Sequence, residues 1–298
     1  MFLRFLICGL FVISIGAAQS LANRYDHLGK ILLFSSSSAP FPHPDRASGY
    51  AYGKKIFPSE RHYQDSSVAL FIPKNFSPGN SIDLVIYFHG WYNTIDSACV
   101  QFSLIEQFSE SNKNAIFVFP EGPKDAPDSF GGRLEANGGL KNLVDDVLKI
   151  LRESKITNAA VAGRIILAGH SGAFRVMAFC LLRGGLTENI SDVFLFDALY
   201  GHTEKYAHWI EHSNGRFINI YTNDGGTKSE SENLITDLKE WGIPYSQSEE
   251  TSCSTDDLRK QRVLFLHSDL SHNGVIAQRR QFRDYLITSK LQPIYYVH

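Results

Sequence analysis

The sequence predicts an α/β protein built on a doubly wound, mostly parallel sheet, and two observations carry that prediction. Several short apolar runs, among them IDLVIYFHG (Ile82 to Gly90) and RIILAG (Arg164 to Gly169), lack the apolar–polar alternation of a strand with one wet face. Strands buried on both faces read this way, and such strands belong to parallel sheets. Between these runs lie segments of helical periodicity, so strands and helices alternate along the chain.

Length alone allows the 298 residues to form one α/β domain or two smaller ones. There is no internal repeat and no linker rich in glycine or proline, so 23–298 is read as a single domain. Lys plus Arg is 29 against 31 for Asp plus Glu. That near-neutral balance supplies no field for nucleic acid or an anionic membrane surface. Residues 1–22 are expected to be a secretory signal peptide. Arg4 precedes an apolar run from Phe5 to Ile15, and Ser20, Leu21 and Ala22 form a small-x-small cleavage site. The run is short of the roughly 20 residues a bilayer span needs, and no later stretch is longer. The expected location is therefore exported, periplasmic or secreted, with no membrane span after cleavage. Cys99, Cys180 and Cys253 would remain in the mature chain, an odd number whose pairing the spacing leaves open. None of them has CxxC spacing, and no cofactor or metal is expected.

The elements follow in order. The segment 23–66, with its serine run and Pro40, Pro42 and Pro44, is expected to be an irregular leader with short strands near Ile31 to Phe34 and Tyr50 to Ile56. VALFIP (Val68 to Pro73) reads as a strand, and Ile82 to Gly90 as a buried one. A helix is expected over Asp96 to Ser111, then the strand AIFVFP (Ala115 to Pro120). Apolar residues at 140, 143, 144, 147, 148 and 151 mark one face of a helix over Leu140 to Arg152. The strand Arg164 to Gly169 follows, then a helix carrying Phe174, Met177, Ala178 and Leu181. Further strands are expected at 193–197, 217–222 and 263–267. Ser229 and Glu232 have capping-box spacing ahead of Leu234, Leu238 and Trp241, and a last helix is expected from about Val275. The stretch 121–139, long and rich in glycine and charge, is either a lid or binding loop or a solvated surface loop.

The candidate chemistry centres on ILAGHSGAFRV, Ile166 to Val176. A strand stops at Gly169, His170, Ser171, Gly172 and Ala173 and turns into a helix. Small residues around a central serine are what a nucleophile elbow needs, because strand and helix backbones nearly touch there. Ala173 stands where glycine is usual, which a negative φ would tolerate. Functional groups of an open parallel sheet collect at the carboxyl ends of its strands. His89 and Gly90, Ser171, Asp197 and HSDLSHNG (His267 to Gly274) all fall on that edge. A serine hydroxyl needs a base within reach. His272, on the loop before the last helix, is the preferred one; His267 sits inside a strand end, and His170 is expected to diverge from its neighbour. Asp197 ends an apolar run, and burying it unpaired would cost several kcal/mol. It is the preferred acid. Asp224 is the alternative, in the commoner position but in NDGG, where a turn already explains it. The oxyanion donors expected are the backbone of Gly172 and of Trp91 or Tyr92, with His89 organising their loop. Phe130, Arg133 and Tyr200 are candidate substrate contacts.

The run YFHGWYN, the elbow GHSGA and the ordered aspartate and histidine resemble the α/β-hydrolase superfamily, from roughly Ser67 to the end of the chain. Within it the pattern is similar to exported bacterial serine esterases of the feruloyl-esterase and polyester-depolymerase kind. The resemblance implies hydrolysis of an ester or amide, in a small molecule or a polymer, through an acyl-enzyme on Ser171. The rival readings are a non-catalytic binding protein on the same fold and a metal-dependent hydrolase using His267, Asp269 and His272.

Overall fold

The computed structural model describes residues 21–295, so all but the last two residues of the expected signal peptide lie outside the described residues. Its strands, in chain order, are β1 (Gly29–Ser35), β2 (Tyr50–Tyr52), β3 (Lys55–Phe57), β4 (Ser67–Pro73), β5 (Ser81–Phe88), β6 (Ile116–Pro120), β7 (Val161–His170), β8 (Ile190–Phe196), β9 (Arg216–Thr222), β10 (Ser246–Glu249) and β11 (Val263–Ser268). Among the described residues, nine of them form one sheet in the order β1-β4-β6-β5-β7-β8-β9-β11-β10, and β2 and β3 form a separate hairpin. The ladder is parallel from β6 to β10. β4 pairs antiparallel with both of its neighbours, β6 and β1. The fold is thus doubly wound and mostly parallel.

The unbroken apolar runs explain the layering. Along β7, Ile165 and Leu167 face one side of the sheet while Ile166 and Ala168 face the other. Val193 and Leu195 of β8 alternate with Phe194 and Phe196 in the same way. The helices Gly139–Glu153, Phe174–Arg183, Thr203–His212 and Lys228–Glu240 cover the first face, and Ile95–Gln101, Leu104–Glu110 and Gln281–Ile287 cover the second. Each helix buries one apolar stripe; that of Gly139–Glu153 is the expected set Leu140, Leu143, Val144, Val147, Leu148 and Leu151. No described helix is long and apolar enough to cross a membrane.

Four expectations need correction. The leader is not irregular throughout, since β1 pairs in register with all of β4 from Gly29 opposite Pro73 to Ser35 opposite Ser67. The helix expected over Asp96 to Ser111 is two, capped by Thr94 and Ser97 at its start and broken where Ser103 takes φ 49°. The last helix is likewise split, into Gly274–Ala277 and Gln281–Ile287, by Arg280 at φ 58°. The capping box at Ser229 does not form, because the helix begins at Lys228 with Thr227 at its cap. Cys99, Cys180 and Cys253 are free thiols, the first two buried and Cys253 half-buried.

At the amino ends of the strands one buried ion pair ties the layers together. Asp192 of β8 accepts from Arg216 Nε of β9 at 2.7 Å. The remaining guanidinium nitrogens donate to Leu258 O, Tyr285 O and Thr288 Oγ1. Removing one partner leaves a charge in an apolar layer, which costs about 3–5 kcal/mol. Asp192→Ala should therefore lower the free energy of urea unfolding by roughly that amount.

Candidate active site

At the carboxyl edge of the sheet the chain leaves β7 through a turn that leaves no room for larger residues. Ser171 takes φ 56°, a left-handed conformation that costs a non-glycine residue of order 1 kcal/mol or more. A Cβ added at Gly169 would lie 2.6 Å from the Cβ of Ala173 and 2.5 Å from Met177 Sδ. Glycine is needed there, whereas Ala173 has φ −68° and its side chain is accommodated. A Cβ added at Gly90, just beyond β5, would meet Ser171 Cβ at 2.6 Å and Gly172 N at 3.1 Å. The loop after β5 is thus held directly against the serine.

That loop is anchored from below. His89 Nδ1 donates to Gly90 O at 2.7 Å, and its Nε2 lies 3.0 Å from Glu121 Oε1, just past β6. Glu121 Oε2 accepts from Ile95 N, fixing the start of the next helix. The indole of Trp91 donates to Ser129 Oγ at 2.8 Å. The amide of Tyr92 donates to Ala126 O at 3.1 Å, so of the two expected oxyanion donors from this loop it is already engaged.

Asp197 follows β8 and is wholly buried. Its Oδ2 accepts from His272 Nδ1 at 2.6 Å and from Thr222 Oγ1 at 2.9 Å. Its Oδ1 accepts from Thr222 N at 3.1 Å and from Thr227 Oγ1. Burial pushes the carboxyl's pKa up, but the hydrogen bonds from His272, Thr227 and Thr222 outweigh it and hold it below the ordinary value. Asp224 is exposed in the turn beyond β9, where its neighbour Asn223 bonds His267 instead. The structure brings Asp197, not Asp224, to His272.

Sequence reasoning missed the support around this pair. Thr227 has spent its hydroxyl on Asp197 rather than on capping its helix. A Cβ at Gly225 would fall 1.7 Å from Asp197 Oδ2, so the glycine of NDGG makes room for the carboxylate. His170 does turn away from Ser171, but toward the loop that carries His272: its Nε2 donates to His272 O at 3.0 Å, and the two ring centres lie 4.6 Å apart with their planes tilted by 36°. Burial, then the neighbouring His272, lowers its pKa to about 4, so it is neutral at physiological pH. The histidine in GHSGA was the available signal.

Ser171, Gly172, His170 and His272 open on a cleft of about 870 Å³ that is also lined by Tyr50, Trp91, Tyr92, Phe174, Arg175, Tyr200 and His202. Tyr200 lies beside Ser171 and donates to Gly225 O; burial pushes its phenol up to about 12. Two expected contacts fall elsewhere. Phe130 is buried behind the wall against Phe41 and His43, and Arg133 faces Ala39 O. The guanidinium at the cleft is that of Arg175, held by both oxygens of Glu135 at 2.7 and 2.8 Å. The stretch 121–139 is packed rather than solvated: Asp128 binds Arg46 Nε at 2.6 Å, and Arg133 N donates to Pro40 O. His267, Asp269 and His272 are not gathered as a ligand set; His267 pairs with Glu249 and Asp269 with Arg279.

No family model and no curated protein matches the sequence. Solved structures do match. A mutant of the feruloyl esterase module from Clostridium thermocellum complexed with sinapinate superposes with a TM-score of 0.54 at 12% identity, over 91% of this chain and 92% of that one. The fold is that of the α/β-hydrolases. An acetyl xylan esterase from Aspergillus awamori superposes with a TM-score of 0.50 at 10% identity, over 74% of this chain and 94% of that one. At such identities the likeness concerns the fold, and chemistry must be argued from the site.

The depressed carboxyl makes a stability prediction independent of any activity. In the unfolded chain an aspartate titrates at about 3.9; in the folded chain Asp197 titrates lower. Its ionised form therefore stabilises the fold fully above the unfolded value, and that contribution is lost as pH falls through the folded one. Asp197→Asn should cost on the order of 1–3 kcal/mol at pH 7. The gap between wild type and variant should narrow in urea melts run at pH 3.

Proposed function

We propose that the protein is a serine hydrolase that cleaves a carboxylic ester through an acyl-enzyme on Ser171. The observation that carries this reading is the His272 Nδ1 to Asp197 Oδ2 bond of 2.6 Å beside a serine in an elbow at the same cleft. With Nδ1–H donated to the carboxylate, the tautomer leaves the Nε2 lone pair available. In this reading Nε2 takes the Ser171 hydroxyl proton as Oγ attacks the ester carbonyl. The negative oxygen that forms is met by the N–H groups of Gly172 and Trp91, donors of the kind worth roughly 3 kcal/mol each. His272 then returns the proton to the leaving alkoxide, and a water activated the same way releases the acid.

His170 acts as a positioning residue, holding the carbonyl of His272 while staying uncharged itself. The substrate class follows from the lining: Tyr50, Trp91, Tyr92, Phe174 and Tyr200 favour an apolar or aromatic group near the scissile bond. That the neighbours of like fold include a feruloyl esterase and an acetyl xylan esterase supports an ester substrate. Export of the mature chain is part of the same proposal, on the strength of residues 1–22.

Ser171→Ala should reduce turnover of a short p-nitrophenyl ester by about 10³-fold or more, with an unchanged far-UV spectrum. A variant that kept most of the activity would end the reading. Asp224→Ala should retain wild-type kcat, while Asp197→Ala loses it; the reverse pattern would reassign the acid. A panel of ester, amide and peptide substrates of graded acyl size should show hydrolysis of esters first.

A further inference from the structure

A second cluster lies at the opposite edge of the sheet and takes no part in the site above. A groove of about 840 Å³ runs past the amino ends of β5, β7 and β8, where Asp83, Arg164 and Asn189 line it together with His208 and His212. The two histidines are on the last turn of the helix Thr203–His212, four residues apart and so on one face. Their ring centres are 4.3 Å apart. Glu211, between them in sequence, is exposed with them, and one ligand atom from each of the three lies within 4.8 Å of the other two. Among the described residues no other three His, Cys, Asp or Glu side chains are so placed.

A solvated helix face would also be polar, but two further features favour an ion. His212 Nδ1 donates to His208 O at 2.9 Å and lies 3.5 Å from Glu211 Oε2. That bond fixes the tautomer and leaves Nε2 as the lone-pair nitrogen, which is the outer contact metal-bound histidines characteristically make. The cluster also occupies the carboxyl end of its helix, where the peptide dipoles favour a positive charge. Tetrahedral ligands at about 2.1 Å sit about 3.4 Å from one another. Exposed side chains have the rotamer freedom to close from 4.8 Å to that spacing.

We propose that His208, Glu211 and His212 form a binding site for a first-row transition dication of the Zn²⁺ class. Two imidazoles and one carboxylate suit such an ion better than Mg²⁺ or Ca²⁺, which take oxygen ligands. Three protein ligands leave a fourth position open toward the groove, for water or a donor atom of a bound molecule. The ion is separate from the chemistry at Ser171, across the full length of the parallel strands.

The test is titration of the full chain with Zn²⁺ alone against a competing chromophoric chelator, with thermal melts in parallel. Wild type should take up one equivalent and melt at a higher temperature with the metal than without. His208→Ala and His212→Ala should each weaken binding at least about tenfold and abolish the metal-dependent rise in melting temperature. Glu211→Gln should weaken it less, and Ser171→Ala not at all. Far-UV spectra of the variants establish that they are folded. The proposal is overturned if wild type binds no zinc tighter than millimolar, or if the His208→Ala/His212→Ala double variant binds as wild type does. Neither result depends on whether Ser171 is a nucleophile.

Discussion

The buried carboxylate of Asp197 organises the carboxyl edge of this molecule. An anion with no exposed surface survives there because four donors from three places reach it: the end of β9, Thr227 at the head of the next helix, and the loop beyond β11 that carries His272. Each donor therefore fixes the position of its own segment relative to β8. Gly225 has to be glycine for the carboxylate to fit, and Thr227 gives up helix capping to serve it. A loop that would otherwise be free to wander is held by both its side chain and, through His170, its carbonyl.

The parallel core was legible in the sequence because burial on both faces leaves an unbroken apolar run, and β5, β7 and β8 are such runs. The elbow was legible for a related reason, since only small residues let β7 and its helix approach so closely. What escaped depends on contacts distant in sequence. Arg46 and Asp128 are 82 residues apart, and neither has a local pattern that announces the pair. Ser229 and Glu232 did have a local pattern, and a tertiary bond from Thr227 to Asp197 accompanies a helix that begins elsewhere. The helix breaks at Ser103 and Arg280 fall on residues that rarely adopt positive φ, so no glycine or proline marked them. The helix Thr203–His212 went unread because its apolar stripe, Tyr206, Ala207, Trp209 and Ile210, follows directly on a polar turn; His208 and His212 went unread with it.

The wall of the cleft is assembled from chain segments far apart. Tyr50 comes from the leader hairpin, Trp91 and Tyr92 from the loop after β5, Phe174 and Arg175 from the helix after the elbow, and Tyr200 from the turn after β8. Ion pairs lock the backing of that wall in place, Arg46 to Asp128 on one side and Arg175 to Glu135 on the other. Both guanidiniums also lie over the ring of Phe130, which explains how a phenylalanine outside the cleft still shapes it.

The pairing of β1 with β4 has a consequence for how the chain behaves outside its native fold. Every residue of β4, SVALFIP, is buried, and its outer row of backbone groups is satisfied by the leader alone. A chain trimmed to 67–298 would begin at that strand and leave it as a naked, apolar rim. Such a rim is a template for another copy of itself. The segment that carries β1 thus acts as a guard against polymerisation, and expression of a version without it would be expected to yield aggregates.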